Sequence, residues 1–260
     1  MSVGASAVNA SDFTDADEIV NKDAVSTMTA LGIINGKEDG SYFDPTGNVT
    51  RAEMAKMLCV AINGGVDPVL GVKDTPTFTD IKGTWAESYI EYCAANGIIA
   101  GRGNNKFDPT GTVSATEAAK MLLGVLGYSA EKSGLVGNDW AINTNVLANQ
   151  NGLYKKLSNL NANTLLTRDN AAQMIYNALD ADMVELNAAG NYTTSQYSYT
   201  GTESVVTGTE RVWVLTIKEN NCTDSGIKAA VDALSGSVYN SRSDADETVK
   251  EVAGAEFNKV

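Results

Sequence analysis

The motifs of residues 13–58 return in the same order, one residue closer between Phe-Thr-Asp and Phe-Asp-Pro, within residues 78–123, and this repeat constrains the fold more than any other feature. Phe13-Thr14-Asp15 precedes Gly32-Ile33-Ile34 by the distance at which Phe78-Thr79-Asp80 precedes Gly97-Ile98-Ile99. Phe43-Asp44-Pro45-Thr46-Gly47 and Phe107-Asp108-Pro109-Thr110-Gly111 each lead into a segment that contains Ala-Lys-Met-Leu. A fainter third copy spans 140–175. Trp140 precedes Gly152 as Trp85 precedes Gly97, and Leu160 precedes Arg168 as Phe43 precedes Arg51, although Leu160-Asn161-Ala162 replaces Phe-Asp-Pro.

Each copy reads as helix, loop, helix. Apolar residues recur at helical spacing in the first helix: Val20, Ala24, Met28 and Leu31 in copy one, and Trp85, Ile90, Cys93 and Ala94 in copy two. Gly32, Gly97 and Gly152 end these helices, as a left-handed turn favours. The second helix opens on a capping box, Thr50 with Glu53 and Ser114 with Glu117, and more weakly on Thr167 with Asn170. The predicted buried stripes are Met54, Leu58, Ala61 and Ile62; Ala118, Leu122 and Val125; and Ala171, Ile175 and Leu179. One hairpin cannot cover its own apolar face, so three packed copies form the smallest sensible core.

After residue 186 the chain turns rich in Thr, Ser, Tyr and Gly. Residues 211–217 alternate and are β-branched, which predicts a strand, and 227–234 suits a short helix. Residues 187–260 are expected to form a β-rich module or linker, whole or incomplete.

Composition narrows the chemistry. The chain has no histidine, which excludes imidazole acid/base catalysis, Ser-His-Asp triads and His-ligated zinc. A net charge of −13, with no Lys/Arg run, argues against nucleic acid as a partner. No apolar run approaches the ~20 residues of a membrane span. Cys59 and Cys93 sit among apolar neighbours and read as small buried hydrophobes, and the odd third cysteine, Cys222, speaks against a disulfide framework. Residues 1–10 look like the tail of a secretory signal with its small-x-small site, or like a disordered start; the first reading makes this an exported protein.

The Phe-Thr-Asp, helix tryptophan, Gly-Ile-Ile, Phe-Asp-Pro-Thr-Gly and Thr-Arg-Ala-Glu motifs, recurring in this order, resemble the S-layer homology domain. On that resemblance the repeats are 11–66, 67–129 and 130–186. The implied fold is mainly α: three helix–loop–helix repeats in a pseudo-threefold bundle, followed by a small β-containing C-terminal segment. The family further implies binding of a secondary cell wall polymer, often pyruvylated, in grooves between adjacent repeats. Such grooves are lined by the arginine of Thr-Arg-Ala-Glu, the tryptophan and the glycine-turn residues, here Arg51, Arg168, Trp85, Trp140, Gly101 and Arg102.

The residues themselves leave alternatives open. Thr50, Glu53, Ser114, Glu117 and Thr167 read as structural caps. Capping has no use for Arg51, which at a helix N-terminus would stand beside free amides and the positive dipole end, ready for a carboxylate; a surface salt bridge is the plainer reading. Trp85 and Trp140 either fill the core or face a sugar. Copy one has Val20 in place of the tryptophan and copy two has Ala115 in place of the arginine. Pairing each helix start with the tryptophan helix of the next repeat would leave Arg51 with Trp85 as the one complete groove.

The sequence thus predicts a non-catalytic, wall-anchoring protein at the cell surface with no cofactor and no metal. Its expected partner is an anionic wall polymer. The alternatives are an S-layer or filament assembly protein that self-associates through its C-terminal region, and the anchor of a larger surface enzyme.

Overall fold

The computed structural model describes residues 9–37, 40–157, 160, 163–188, 190–194, 197–206, 210–219, 239–241 and 249–253. The chain divides into two compact units, residues 1–178 and 179–260.

The first unit is helical. After two 3-10 turns, Ala10–Asp12 and Ala16–Glu18, come α1 (Lys22–Ala30), α2 (Arg51–Ile62), α3 (Glu87–Ala95), α4 (Ala115–Val125), α5 (Trp140–Gln150) and α6 (Arg168–Leu179). In chain order they give three helix–loop–helix hairpins, α1–α2, α3–α4 and α5–α6, although the helices pack most closely between hairpins, α2 on α3 and α4 on α5. Both predicted capping boxes are present: Thr50 and Ser114 accept the amides of Glu53 and Glu117, whose carboxylates reach back to the cap amides. Thr167 accepts the Asn170 amide, half of a box.

The hairpins meet at a closed triangle of main-chain hydrogen bonds. The Val49 amide donates to the Leu166 carbonyl at 2.9 Å, Leu166 to Val113 at 2.8 Å, and Val113 to Val49 at 3.0 Å. All three side chains are fully buried. Each residue precedes a second helix, so the triangle marks an approximate threefold axis, and the strand-like stubs satisfy main-chain groups that would otherwise be buried unpaired. One step outward the pattern repeats: Arg51 donates to Gly111, Ala115 to Thr164 and Arg168 to Gly47. Asn21, just before α1, closes the ring by donating from its amide and side chain to Asp169 on α6.

The two clearest motifs clasp each other. Asp15 accepts the amides of Phe43 and Asp44, and Asp80 those of Phe107 and Asp108, all at 2.7–2.9 Å. The phenylalanines stack beside these bonds, with centroids 5.2 Å apart for Phe13–Phe43 and 5.5 Å for Phe78–Phe107. A Cβ at Gly47 or Gly111 would meet the Asp44 or Asp108 carboxylate within 2.1 Å, so any larger residue would have to displace that carboxylate.

Several expectations need correction. Met54, Leu58, Ala118, Leu122, Ala171 and Ile175 are buried, but Ile62 is exposed where its helix runs off the core. Val20 precedes α1 and is 83% exposed, and Leu31 caps the helix half-buried. Trp85 precedes α3 and is 61% exposed, so it does not fill the core.

The second unit is built of strands. β1 (Val184–Leu186) pairs antiparallel with β2 (Tyr192–Thr194), so strand begins slightly before the expected boundary. β3 (Tyr197–Val206), β4 (Glu210–Glu219), β5 (Tyr239–Ser241) and β6 (Val249–Ala253) make an antiparallel sheet in the order β3-β4-β6-β5. The strand predicted at 211–217 lies within β4, whereas β5 and β6 occupy sequence too polar to announce them. The helix expected at 227–234 falls outside the described residues. The protein is mainly α with a smaller β portion, and among the described residues no helix is long and apolar enough to cross a membrane.

Candidate functional site

Between repeats, the second helix of one hairpin lies against the first helix of the next: α2 against α3, and α4 against α5. Each of these clefts has a lysine on one wall and aromatic side chains on the other. Lys120 of α4 holds its Nζ 5.4 Å over the Trp140 ring, and Lys56 of α2 holds its Nζ 5.4 Å over Tyr89, whose ring neighbours Trp85 at 6.3 Å. At these distances cation–π attraction aligns the lysines without neutralising them. Both lysines belong to the repeated Ala-Lys-Met-Leu, so the sequence carried the signal without marking its use.

Arg51 and Arg168 sit beneath these clefts rather than within them. Arg51 is 3% exposed. Its Nε donates to the Phe107 carbonyl at 2.8 Å and its Nη2 to the Ala100 carbonyl at 2.7 Å, with the guanidinium 4.3 Å from the Phe107 ring centroid. Arg168 repeats this against copy one, donating to Phe43 and Asn35, both at 2.7 Å. Burial lowers the pKa of each arginine, against the opposing pull of Glu117 on Arg51 and of Glu53 on Arg168. The free amides expected beside Arg51 are occupied: its own amide goes to Gly111, that of Ala52 to Pro109, and that of Glu53 to Thr50 Oγ1. Nor is Arg51 a surface ion pair, since its Nη1 lies 3.5 Å from Glu117 in a buried setting.

The reach of Arg51 across the axis changes the expected pairing. It approaches Glu117 and Lys120 on α4, and hence the cleft of Trp140. By the same geometry Arg168 backs the cleft of Lys56 and Trp85, beside Glu53. Two of the departures from the motif, Val20 and Ala115, then fall together, and Gln173 joins them in place of the repeated lysine. In the third position, where α6 meets the start of α1, Ala115, Val20 and Gln173 stand where arginine, tryptophan and lysine stand elsewhere.

A cavity of about 60 Å³ opens beside Lys120 between α4, the turn Gly97–Ala100 and the α4–α5 loop, lined also by Gly124, Tyr128, Leu135 and Val136; no α5 residue lines it. Gly124 lets the turn approach α4 closely, since a Cβ there would stand 3.0 Å from the Ile98 Cα, tighter than ordinary contact. The Lys120 pKa is lowered by burial first and then by the Arg51 charge, and among the described residues no carboxylate pairs with it. Lys56 differs, having Asp67 at 2.9 Å.

Arg102 borders this region but is tied down. It bridges Asp108 at 2.7 Å and Glu117 at 2.9 Å, and it donates to the Thr112 carbonyl. Glu117 is thereby held by the Ser114 amide and Arg102 below the ordinary glutamate value, although burial alone would push it up. Gly101 packs where a Cβ would strike Phe78 and the Lys106 carbonyl.

Comparison with known proteins agrees with the repeat. Residues 12–55 and 77–119 match the S-layer homology domain. The chain is 30% identical over 113 residues to an S-layer protein of Bacillus licheniformis, covering 44% of this chain and 12% of that protein. It is 30% identical over 170 residues to a middle cell wall protein of Brevibacillus brevis, covering 62% and 15%. It is 28% identical over 156 residues to an exoglucanase of Acetivibrio thermocellus, covering 56% and 14%. The matched region is thus a small part, 12–15%, of these relatives. The chain therefore carries S-layer homology sequence in each of its first two repeats, and these matches indicate an extracellular place at the cell surface or wall.

Proposed function

We propose that the helical unit is a non-catalytic anchor that binds an anionic secondary cell wall polymer in two clefts, α4–α5 and α2–α3. The third hairpin serves as a third, divergent S-layer homology repeat that completes the bundle and offers no working cleft of its own. The observation that carries this reading is Lys120, a half-buried cation between an indole and a guanidinium, beside a small cavity, in a strongly acidic protein. Such a cation favours an incoming carboxylate, and the indole offers a flat face to a sugar ring. The cavity suits a small acidic substituent on a glycan, such as a pyruvate ketal, better than a whole sugar.

Arg51 and Arg168 act from below. They fix the carbonyls of the glycine turn and the aromatic loop, and add positive potential to the cleft floor, instead of gripping the ligand as sequence reasoning expected. The range of relatives supports anchoring over chemistry: related sequence occurs in S-layer proteins and in an exoglucanase. Binding to purified Gram-positive walls, before and after removal of the non-peptidoglycan polymer, tests the proposal. Retention on intact walls and loss on stripped walls is expected; equal retention on both overturns it.

A further inference from the structure

Cys59 on α2 and Cys93 on α3 bring their Sγ atoms to 3.4 Å, and both residues are buried. Each thiol also approaches a main-chain carbonyl of the opposite helix, Cys59 that of Tyr89 and Cys93 that of Ala55, at 3.6 Å in both cases. Those carbonyls lie four residues before the opposing cysteine, so the contact is reciprocal across the helix pair. Packing alone does not call for sulfur here. The equivalent positions of the α4–α5 pair are Leu123 and Ala148, which are fully buried and fill the same place with hydrocarbon. Extracellular proteins meet conditions in which apposed thiols oxidise and stay oxidised.

We infer that Cys59 and Cys93 form a disulfide that staples the first repeat to the second across the walls of the α2–α3 cleft. Two S–H bonds break and one S–S bond forms. The two electrons reduce a small-molecule or oxidoreductase disulfide through a mixed disulfide, and the two protons end, by way of solvent, on the two thiols it releases. The contact with Cys59 and burial both push the Cys93 thiol upward, which makes thiolate scarce once the helices have docked. The exchange therefore belongs to the stage at which α2 and α3 come together. The bond spans two repeats, so it restrains the unfolded chain over the whole connection from α2 to α3.

The test uses the full chain with Cys222→Ser, which removes the remaining thiol. Reduced, unfolded protein is refolded in a mixture of oxidised and reduced glutathione, acid-quenched, and alkylated in denaturant. The expected product takes up no alkyl group, is lighter by two hydrogens, and yields a linked peptide pair containing Cys59 and Cys93. Reductant should then lower its melting temperature by on the order of 5–10 °C. The double variant Cys59→Leu/Cys93→Ala, which copies the α4–α5 pair, should fold and melt at the same temperature with or without reductant. Two alkylated cysteines per refolded chain would overturn the inference. So would a melting temperature that ignores reductant, or one that responds equally in the double variant.

Discussion

Arg51 Nε donates to the Phe107 carbonyl at 2.8 Å, a bond that joins the second helix of the first repeat to the loop of the second. With Nη2 on Ala100, it makes one guanidinium the tie between an axis helix and the two segments that shape the α4–α5 cleft. Arg168 does the same for the α2–α3 cleft. Two arginines that the sequence offers as ligand-grasping groups are, in the fold, the rivets of the bundle.

The consequence is a stability effect. Arg51→Ala leaves two carbonyls without donors in a buried site and should cost about 2–5 kcal/mol. Arg168→Ala should cost a similar amount. Arg51→Lys should recover little, because an ammonium cannot reach both carbonyls with the fixed fork of a guanidinium. Denaturant unfolding followed by circular dichroism measures this; a loss below about 0.5 kcal/mol for Arg51→Ala would contradict the tie.

The aspartates of the clasps should behave as a matched pair. Asp15→Ala and Asp80→Ala each orphan two loop amides and should destabilise by about 2–4 kcal/mol. Asn at either position should restore part of the loss, since its one carbonyl can hold one amide. Melting curves of the four variants decide this, and a full-strength Asn variant would contradict two-amide capture.

The pH dependence has a definite sign. Glu117, Asp80 and Glu91 are held below their ordinary values although burial opposes it: by the Ser114 amide and Arg102, by the Phe107 and Asp108 amides, and by Lys73 and Thr77 respectively. Their contribution is fully present above the unfolded carboxylate range and is lost as pH falls through the lower folded values. Asp169, raised by burial, has the opposite sign and favours the fold at low pH. Asp67, held down by its bonds to Lys56 and Tyr89, joins the first group; four against one, the balance predicts a melting temperature that falls as pH drops from about 5 toward 3. A melting temperature that is flat or rising over that interval would contradict it.

Much of this was legible in the sequence because it is written in local chemistry repeated in order. A hydroxyl three residues before a glutamate, at the head of a run with helical apolar spacing, specifies a cap, and α2 and α4 begin where those pairs predict. The strand at 211–217 was legible for the same reason, from alternation alone. The exposure of Val20 and Trp85 was not, because helical periodicity gives a face but not the point at which a helix starts, and both residues stand just before theirs. The destination of Arg51 was hidden as well. Its partners, Phe107 and Ala100, are main-chain carbonyls in another repeat, and a carbonyl leaves no mark in a sequence. Lys56 and Lys120 were visible as repeated residues, but their use appeared only when α3 and α5 brought aromatic rings beside them.

The central claim is that two clefts, each defined by a lysine and a tryptophan, bind the wall polymer while the third does not. Titrating an acid-bearing polymer fragment into the chain by calorimetry tests it most directly, with melting curves confirming that each variant is folded. Lys120→Ala/Trp140→Ala and Lys56→Ala/Trp85→Ala should each remove one of two sites, and the four substitutions together should abolish binding. Lys120→Ala alone should weaken its site about tenfold to hundredfold, the worth of one charge-assisted hydrogen bond. Val20→Ala, in the third position, should change nothing. Undiminished binding by the fourfold variant, or loss of binding on Val20→Ala, would contradict the account.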